Sequence, residues 1–210
     1  EFAGLFHHHR VEIDPDAHAV DRCLEVPRAL GLQVPDEETA LSFKLPLEKP
    51  DNPPPEGFVL LHPFSRGTGK SLTEQSVLAF CQAMGKCPVV LVGRGGPKLG
   101  PLPDNVHNWI NATSLAQLAW LMGNALFTVS VDSGPAHMAA ALGEDLLVIH
   151  SWSNPLKVGP YRKQAWVWKS GNFSKAGAVD PVVAKAGGQM PDIAQIKEIA
   201  SRVREISGVS

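Results

Sequence analysis

Three stretches of this sequence gather the residue types that polar chemistry needs. The first, His62-Pro63-Phe64-Ser65-Arg66-Gly67-Thr68-Gly69-Lys70-Ser71, follows a short apolar run and places a hydroxyl (Ser65) and two cations (Arg66 and Lys70) in a Gly-rich loop. A guanidinium and an ammonium beside a hydroxyl suit phosphate oxygens, although a solvated basic loop uses the same residues. The second is Val131-Asp132-Ser133-Gly134-Pro135-Ala136-His137. There Asp132 or Ser133 can cap a helix, Gly134 allows close approach, Pro135 suits the first helical position, and the free N–H groups with the helix dipole attract an anion. His137 lies one turn in and can face the same cleft, though a lone helical histidine is also an ordinary packing residue. The third, Ser151-Trp152-Ser153-Asn154-Pro155 continuing to Gly159-Pro160-Tyr161, is polar and aromatic; it can close over a ligand or serve as a surface turn.

Two nucleotide-binding patterns come close without a full match. Gly69-Lys70-Ser71 after an apolar run, with Asp132 ending a later one, suggests a magnesium-dependent nucleotide hydrolase. The pattern G-x-x-x-x-G-K-[ST], however, needs a glycine where Phe64 stands, because the backbone must curl around the phosphate. Gly93-Arg94-Gly95-Gly96 has no helix directly after it, so it is not a dinucleotide fingerprint.

These loops need elements to hold them. Apolar runs at Phe58–His62, Pro88–Val92, Val106–Ile110, Leu126–Val131 and Leu146–His150 predict five strands, with a sixth at Ala165–Trp168. Between them, residues 74–84 carry Val77, Leu78, Cys81 and Met84 in helical phase, and Ser114 caps a helix with Leu115, Leu118, Ala119 and Met122 on one face. A short helix over Pro135–Leu142 and an amphipathic one over Ile193–Ile206 complete the pattern. Strands that are apolar throughout and alternate with helices predict an α/β domain with a doubly wound parallel sheet. Its ligands bind at the carboxyl ends of the strands, where the loops after His62, Val92, Val131 and His150 lie. Upstream, Asp16 is expected to cap a helix through Ala17–Leu30 with Val20, Cys23, Leu24 and Leu30 inward, shortened or kinked at Pro27 and stopped by Gly31. Val34–Gly57 reads as a proline-rich linker with one short strand near Ala40–Phe43.

Composition limits the function classes. At 210 residues, 44% hydrophobic and 19% charged, the chain can bury a substantial core and is not a disordered polymer. No apolar run approaches the ~20 residues of a membrane-spanning helix. A net charge of −2 gives little support to nucleic-acid binding. The charge is uneven: residues 151–210 carry 9 basic and 4 acidic groups, which suits a phosphate-bearing ligand or a solvated helix end. Cys23, Cys81 and Cys87 show no metal-binding spacing and fit buried thiols in a reducing cytosol. His7-His8-His9 reads as an exposed polar patch, and the start at Glu1 instead of Met suggests a fragment or a processed chain.

Taken together, HPFSRGTGKSL (62–72), INATSLAQLAWLMGNALFTVSVDSGPAHMAAALG (110–143) and SNPLKVGPY (153–161) resemble the donor-binding half of glycosyltransferase family 9, the bacterial ADP-heptose:lipopolysaccharide heptosyltransferases. HAVDRCLEVPRALGL (18–32) resembles the segment preceding that half. The resemblance implies the Rossmann-like C-terminal lobe of a GT-B type enzyme, divided into a remnant of the N-terminal lobe with linker (1–56), a nucleotide-sugar domain (57–190) and a closing helix (191–210). It implies that Ser65, Arg66 and Lys70 meet the donor diphosphate and that Ser133 and Gly134 bind it from a helix N-terminus. Asp132 and His137 would lie by sugar and phosphate, with Thr113 and Leu115 bordering the nucleobase.

The implied reaction is inverting heptose transfer from ADP-heptose to the lipopolysaccharide inner core, on the cytoplasmic side of the inner membrane. It needs no cofactor or metal, and its partners are the nucleotide sugar and the core acceptor. The general base is expected in a missing N-terminal lobe, so no catalytic residue is assigned and the isolated fragment is expected to be inactive. Self-association is expected if the uncovered lobe face is apolar enough. The chain departs from the family at Lys98-Leu99-Gly100-Pro101, where an acidic residue meeting the ribose is usual, and at Leu72, where an aromatic is usual. Donor identity therefore stays open, as do two alternatives: the nucleotide hydrolase, and a non-catalytic nucleotide-binding or interaction module.

Overall fold

The computed structural model describes residues 10–34 and 46–209. The triple histidine and the strand expected near Ala40–Phe43 lie outside those residues. Six strands run parallel: β1 (Val59–His62), β2 (Val89–Gly93), β3 (Val106–Ile110), β4 (Phe127–Val131), β5 (Leu146–His150) and β6 (Trp166–Lys169). With an antiparallel β7 (Asn172–Lys175) they form one sheet in the order β3-β2-β1-β4-β5-β6-β7. The order reverses between β1 and β4, whose carboxyl ends therefore diverge into a crevice.

Alternate residues of the central strands feed two separate apolar layers, which is why these strands read as continuous apolar runs. Val59, Leu61, Val89, Leu91, Leu147 and Ile149 face one side, packed with Val77, Phe80 and Met84 from α2 (Glu74–Ala83) and its cap, and with Ile196, Ile199 and Val203 from α7 (Ile193–Ser207). Phe58, Leu60, Val90, Val92, Leu146 and Val148 face the other, against Leu118, Leu121 and Met122 of α3 (Leu115–Asn124) and Ala136, Ala139 and Ala140 of α4 (Gly134–Leu142). Each fully buried Leu or Phe contributes about 1.5–3 kcal/mol of transfer free energy. The helix starts are set chemically: Thr73 accepts from Ser76 N–H, and Ser114–Gln117 and Asp192–Gln195 form capping boxes.

The structure differs from expectation at four places. α1 (Ala19–Ala29) is capped by the His18 ring, not by Asp16, which instead pairs with Lys157 at 2.5 Å. No residue of α1 is buried, and Cys23 and Leu30 are exposed, because polar contacts tie this helix to the domain: Tyr161 Oη donates to Asp21, and the His18 ring lies 5.0 Å from that of Tyr161. β7 was not expected; it follows β6 through Ser170-Gly171, both at positive φ, as a two-residue hairpin requires. Short helices α5 (Pro155–Val158) and α6 (Pro181–Lys185) begin at Asn154 and Asp180 caps inside segments that carry no apolar period.

Candidate functional site

A cleft of about 810 Å³ opens at the carboxyl ends of β1, β2 and β4. The donor-binding candidates named from sequence line it: Ser65, Arg66 and Lys70 after β1, Thr113 and Leu115 where β3 turns into α3, and Asp132, Ser133, Gly134 and His137 where β4 turns into α4; Ser151–Pro155 and Gly159–Tyr161, the third candidate stretch, do not. His62, Phe64, Arg94 and Val158 complete its walls.

The loop after β1 is a closed structure, not a free strand of charge. Leu72 N–H donates to Pro63 C=O at 2.9 Å, and Ser71 Oγ both accepts from Ser65 N–H and donates to Ser65 C=O. Gly69, at φ +72, makes the turn that brings Lys70 back over the sheet. Phe64 is buried beneath the next loop, and a Cβ on Gly96 (φ +89) would lie 2.5 Å from its ring. This arrangement does not favour the P-loop alternative. Lys70 and Ser71 precede the Thr73 cap of α2 instead of sitting in its first turn, and the Ser71 hydroxyl is spent inside the loop.

Lys70 Nζ reaches Asp132 Oδ2 at 2.5 Å, joining the β1 loop to the β4 terminus. Burial would raise the Asp132 carboxyl, but the Lys70 ammonium, the Ser153 hydroxyl and the nearby His150 together hold it below the ordinary range. The next residue, Ser133, caps α4 in position only: its hydroxyl donates to Val131 C=O and approaches His62 Nδ1 at 3.4 Å, so no side chain caps the α4 terminus. The helix start therefore lines the cleft without a side-chain cap; Pro135 has no N–H and Ala136 N–H donates to Ser133 C=O at 3.1 Å, which leaves the Gly134 N–H and the helix dipole for a ligand. Arg66, Lys70 and Arg94 are the cleft's cations, and Asp132 is its one carboxylate among the described residues. Leu115, 57% exposed in the first turn of α3, presents an apolar surface at the same opening.

Behind this front lies a buried polar layer that sequence reasoning did not identify. His62 accepts or donates at Ser130 Oγ, its partner in register across β1 and β4, and burial lowers its pKa to about 4. His150, at the end of β5, contacts Ser153 Oγ at 3.0 Å and stands 4.0 Å from Asp132; burial lowers it to about 4 as well. Lys169, at the end of β6, is buried and donates to Ser151 and Ser153 carbonyls at 2.5 and 3.0 Å. Desolvation lowers its pKa and Asp132 opposes the shift. A lysine closing an otherwise apolar strand was the available signal. Lys98, where the sequence departs from the family pattern, is exposed and does not line the cleft; its loop is held by Glu74, which accepts from Gly100 N–H at 2.7 Å. Among the described residues no cluster of metal-ligating side chains occurs, and no helix is long and apolar enough to cross a membrane.

Comparison with known proteins places this geometry. One curated relative, the lipopolysaccharide core heptosyltransferase OpsX of Haemophilus influenzae, is 30% identical over 82 residues, covering 39% of this chain and 23% of that protein. Among solved structures, the Escherichia coli heptosyltransferase WaaC with ADP superposes over 98% of this chain and 62% of its own, with a TM-score of 0.64 at 19% identity. A family 9 glycosyltransferase from Veillonella parvula covers 95% and 62%, with a TM-score of 0.61 at 16% identity. The chain thus spans less than two thirds of the length of each of these relatives, and the structural likeness carries the fold. Residues 1–181 match glycosyltransferase family 9 (heptosyltransferase), a span that includes the β1 loop, α3 and the β4–α4 turn that build the cleft, and the chain belongs to that family.

Proposed function

We propose that the cleft is the donor site of a heptosyltransferase and holds the diphosphate of ADP-heptose or a related nucleotide sugar. The observation that carries this reading is the convergence of Lys70 and the uncapped α4 terminus, joined through Asp132, on one cavity. Oxygen atoms of a diphosphate can accept from Lys70 Nζ and from the Gly134 N–H at the α4 start, while Ser65 and Arg66 reach the same group from the loop. Leu115 and Thr113 offer an apolar edge and a hydroxyl to the nucleobase. Family relatives whose structures contain ADP, ADP-2-deoxy-2-fluoro heptose or ADP-D-β-D-heptose support a nucleotide of this type.

In transfer, breaking the glycosidic bond leaves negative charge on the departing phosphate. Lys70, fixed by Asp132, and the helix dipole are already aimed at that charge, and donors held in place before the reaction need no reorganisation as it develops. Asp132 is engaged by Lys70, so the base that deprotonates the acceptor hydroxyl is assigned to an acceptor-binding region outside this cleft. The acceptor is the lipopolysaccharide inner core in this reading, met at the cytoplasmic face of the inner membrane. Ser133→Trp fills the helix terminus and tests the assignment: saturable ADP-heptose binding that this variant abolishes supports the donor site, and binding that it leaves unchanged places the nucleotide elsewhere.

A further inference from the structure

Lys70 is gripped from two sides. Asp132 takes its ammonium on one, and on the other the ammonium sits 4.3 Å from the centre of the Trp152 ring. Trp152 is 58% exposed, an unusual position for an indole. Its Nε1–H donates to Thr68 C=O at 3.1 Å, two residues before Lys70, so one side chain from the loop after β5 holds both the backbone and the cation of the loop after β1. Gly69 lies between them at φ +72, and a Cβ built on it would be 3.9 Å from the indole. The turn thus rests against the ring.

We propose that Trp152 is a positioning residue that clamps the Lys70 loop over the cleft, fixing the ammonium for an incoming diphosphate. The inference rests on the donor-site reading for its ligand, but the clamp is a claim about Lys70 itself. Exposure of the indole means that replacing it removes little buried surface, so Trp152→Ala leaves the fold intact. An ammonium held at an aromatic face is restricted before the ligand arrives, and a cation–π contact at a surface site is worth about two- to fivefold in an equilibrium constant. The ring matters for the cation, the Nε1–H for the loop backbone, and Trp152→Phe separates the two.

Two measurements on the full chain test this. The first needs no ligand: in NMR spectra the Lys70 ε-methylene protons are expected upfield of lysines that meet no ring, as are those of Lys175 over Trp166, and the Lys70 shift is retained in Trp152→Phe and lost in Trp152→Ala, which leaves that of Lys175 in place. An unshifted Lys70 in the unaltered chain overturns the clamp. The second is a double-mutant cycle of ADP affinity. Trp152→Ala is expected to weaken binding about fivefold in the unaltered background and less than twofold when Lys70 is already Ala. Equal losses in both backgrounds would make Trp152 an independent contact or a purely structural residue and would overturn its action through Lys70. If the unaltered chain binds no ADP, the donor-site reading fails, while the NMR shift still decides the clamp.

Discussion

At the scale of single residues, the cleft depends on charges held where water is scarce. Lys70→Ala removes a charge-assisted donor and should weaken ADP binding by about ten- to a hundredfold in a calorimetric titration. It also removes the ammonium partner of Asp132, which is only 5% exposed and keeps the Ser153 hydroxyl, so a loss of about 1–3 kcal/mol in urea unfolding should accompany it. The two buried histidines give a second signature. His62 falls from 6.5 to about 4 on folding, so between those values the unfolded chain takes up a proton that the folded chain refuses. Stability from this group is full above pH 6.5 and falls as pH drops toward 4, by about 3 kcal/mol. His150 shifts in the same direction. Asp132, lowered below 3.8, adds a further loss only under more acid conditions. Urea unfolding at pH 7, 6 and 5 should therefore show a steady decline that is shallower in His62→Gln, where His150 still contributes; a flat profile in the unaltered chain would contradict the buried neutral histidines.

At the scale of elements, the loops are as constrained as the strands. Gly96 combines φ +89 with contact against the buried Phe64 ring, so Gly96→Ala should lower stability by about 1–3 kcal/mol and reduce the melting temperature. The Phe64 that breaks the P-loop pattern thus has a structural task of its own. Because Ser71 is tied into its loop, the chain should show no magnesium-dependent ATP turnover, and phosphate release above the buffer rate would revive the hydrolase alternative. Much of this was legible beforehand. Continuous apolar runs identified β1 to β6, since a strand covered on both faces has no polar side to show. The Ser114 and Ser133 signals located the helix starts beside the cleft. What was hidden has physical causes. The β7 hairpin lies at the sheet edge with half-exposed polar residues, and α5 and α6 are too short to show a period. α1 kept its amphipathic appearance while docking through Asp16, His18 and Asp21. Within the site, the loop positions followed from strand order, but the Lys70–Asp132 pair and the His150–Lys169 layer join residues distant in sequence, which only the folded sheet brings together.

At the scale of the whole molecule, the sheet, the cleft and the family membership support a single account. A doubly wound domain opens at its switch point onto cations and a helix terminus, and the proposed ligand is the nucleotide sugar that family relatives bind. The donor is the account's central claim, and the Lys98 loop, which lies off the cleft, makes nucleobase choice its most exposed part. Calorimetric titration of the chain with ADP-heptose, ADP and UDP, each with and without magnesium, tests it most directly. Saturable binding of ADP-heptose and ADP, tighter than UDP and indifferent to magnesium, is the predicted result. Preference for UDP, a strict magnesium requirement, or no binding by any of the three would contradict the account.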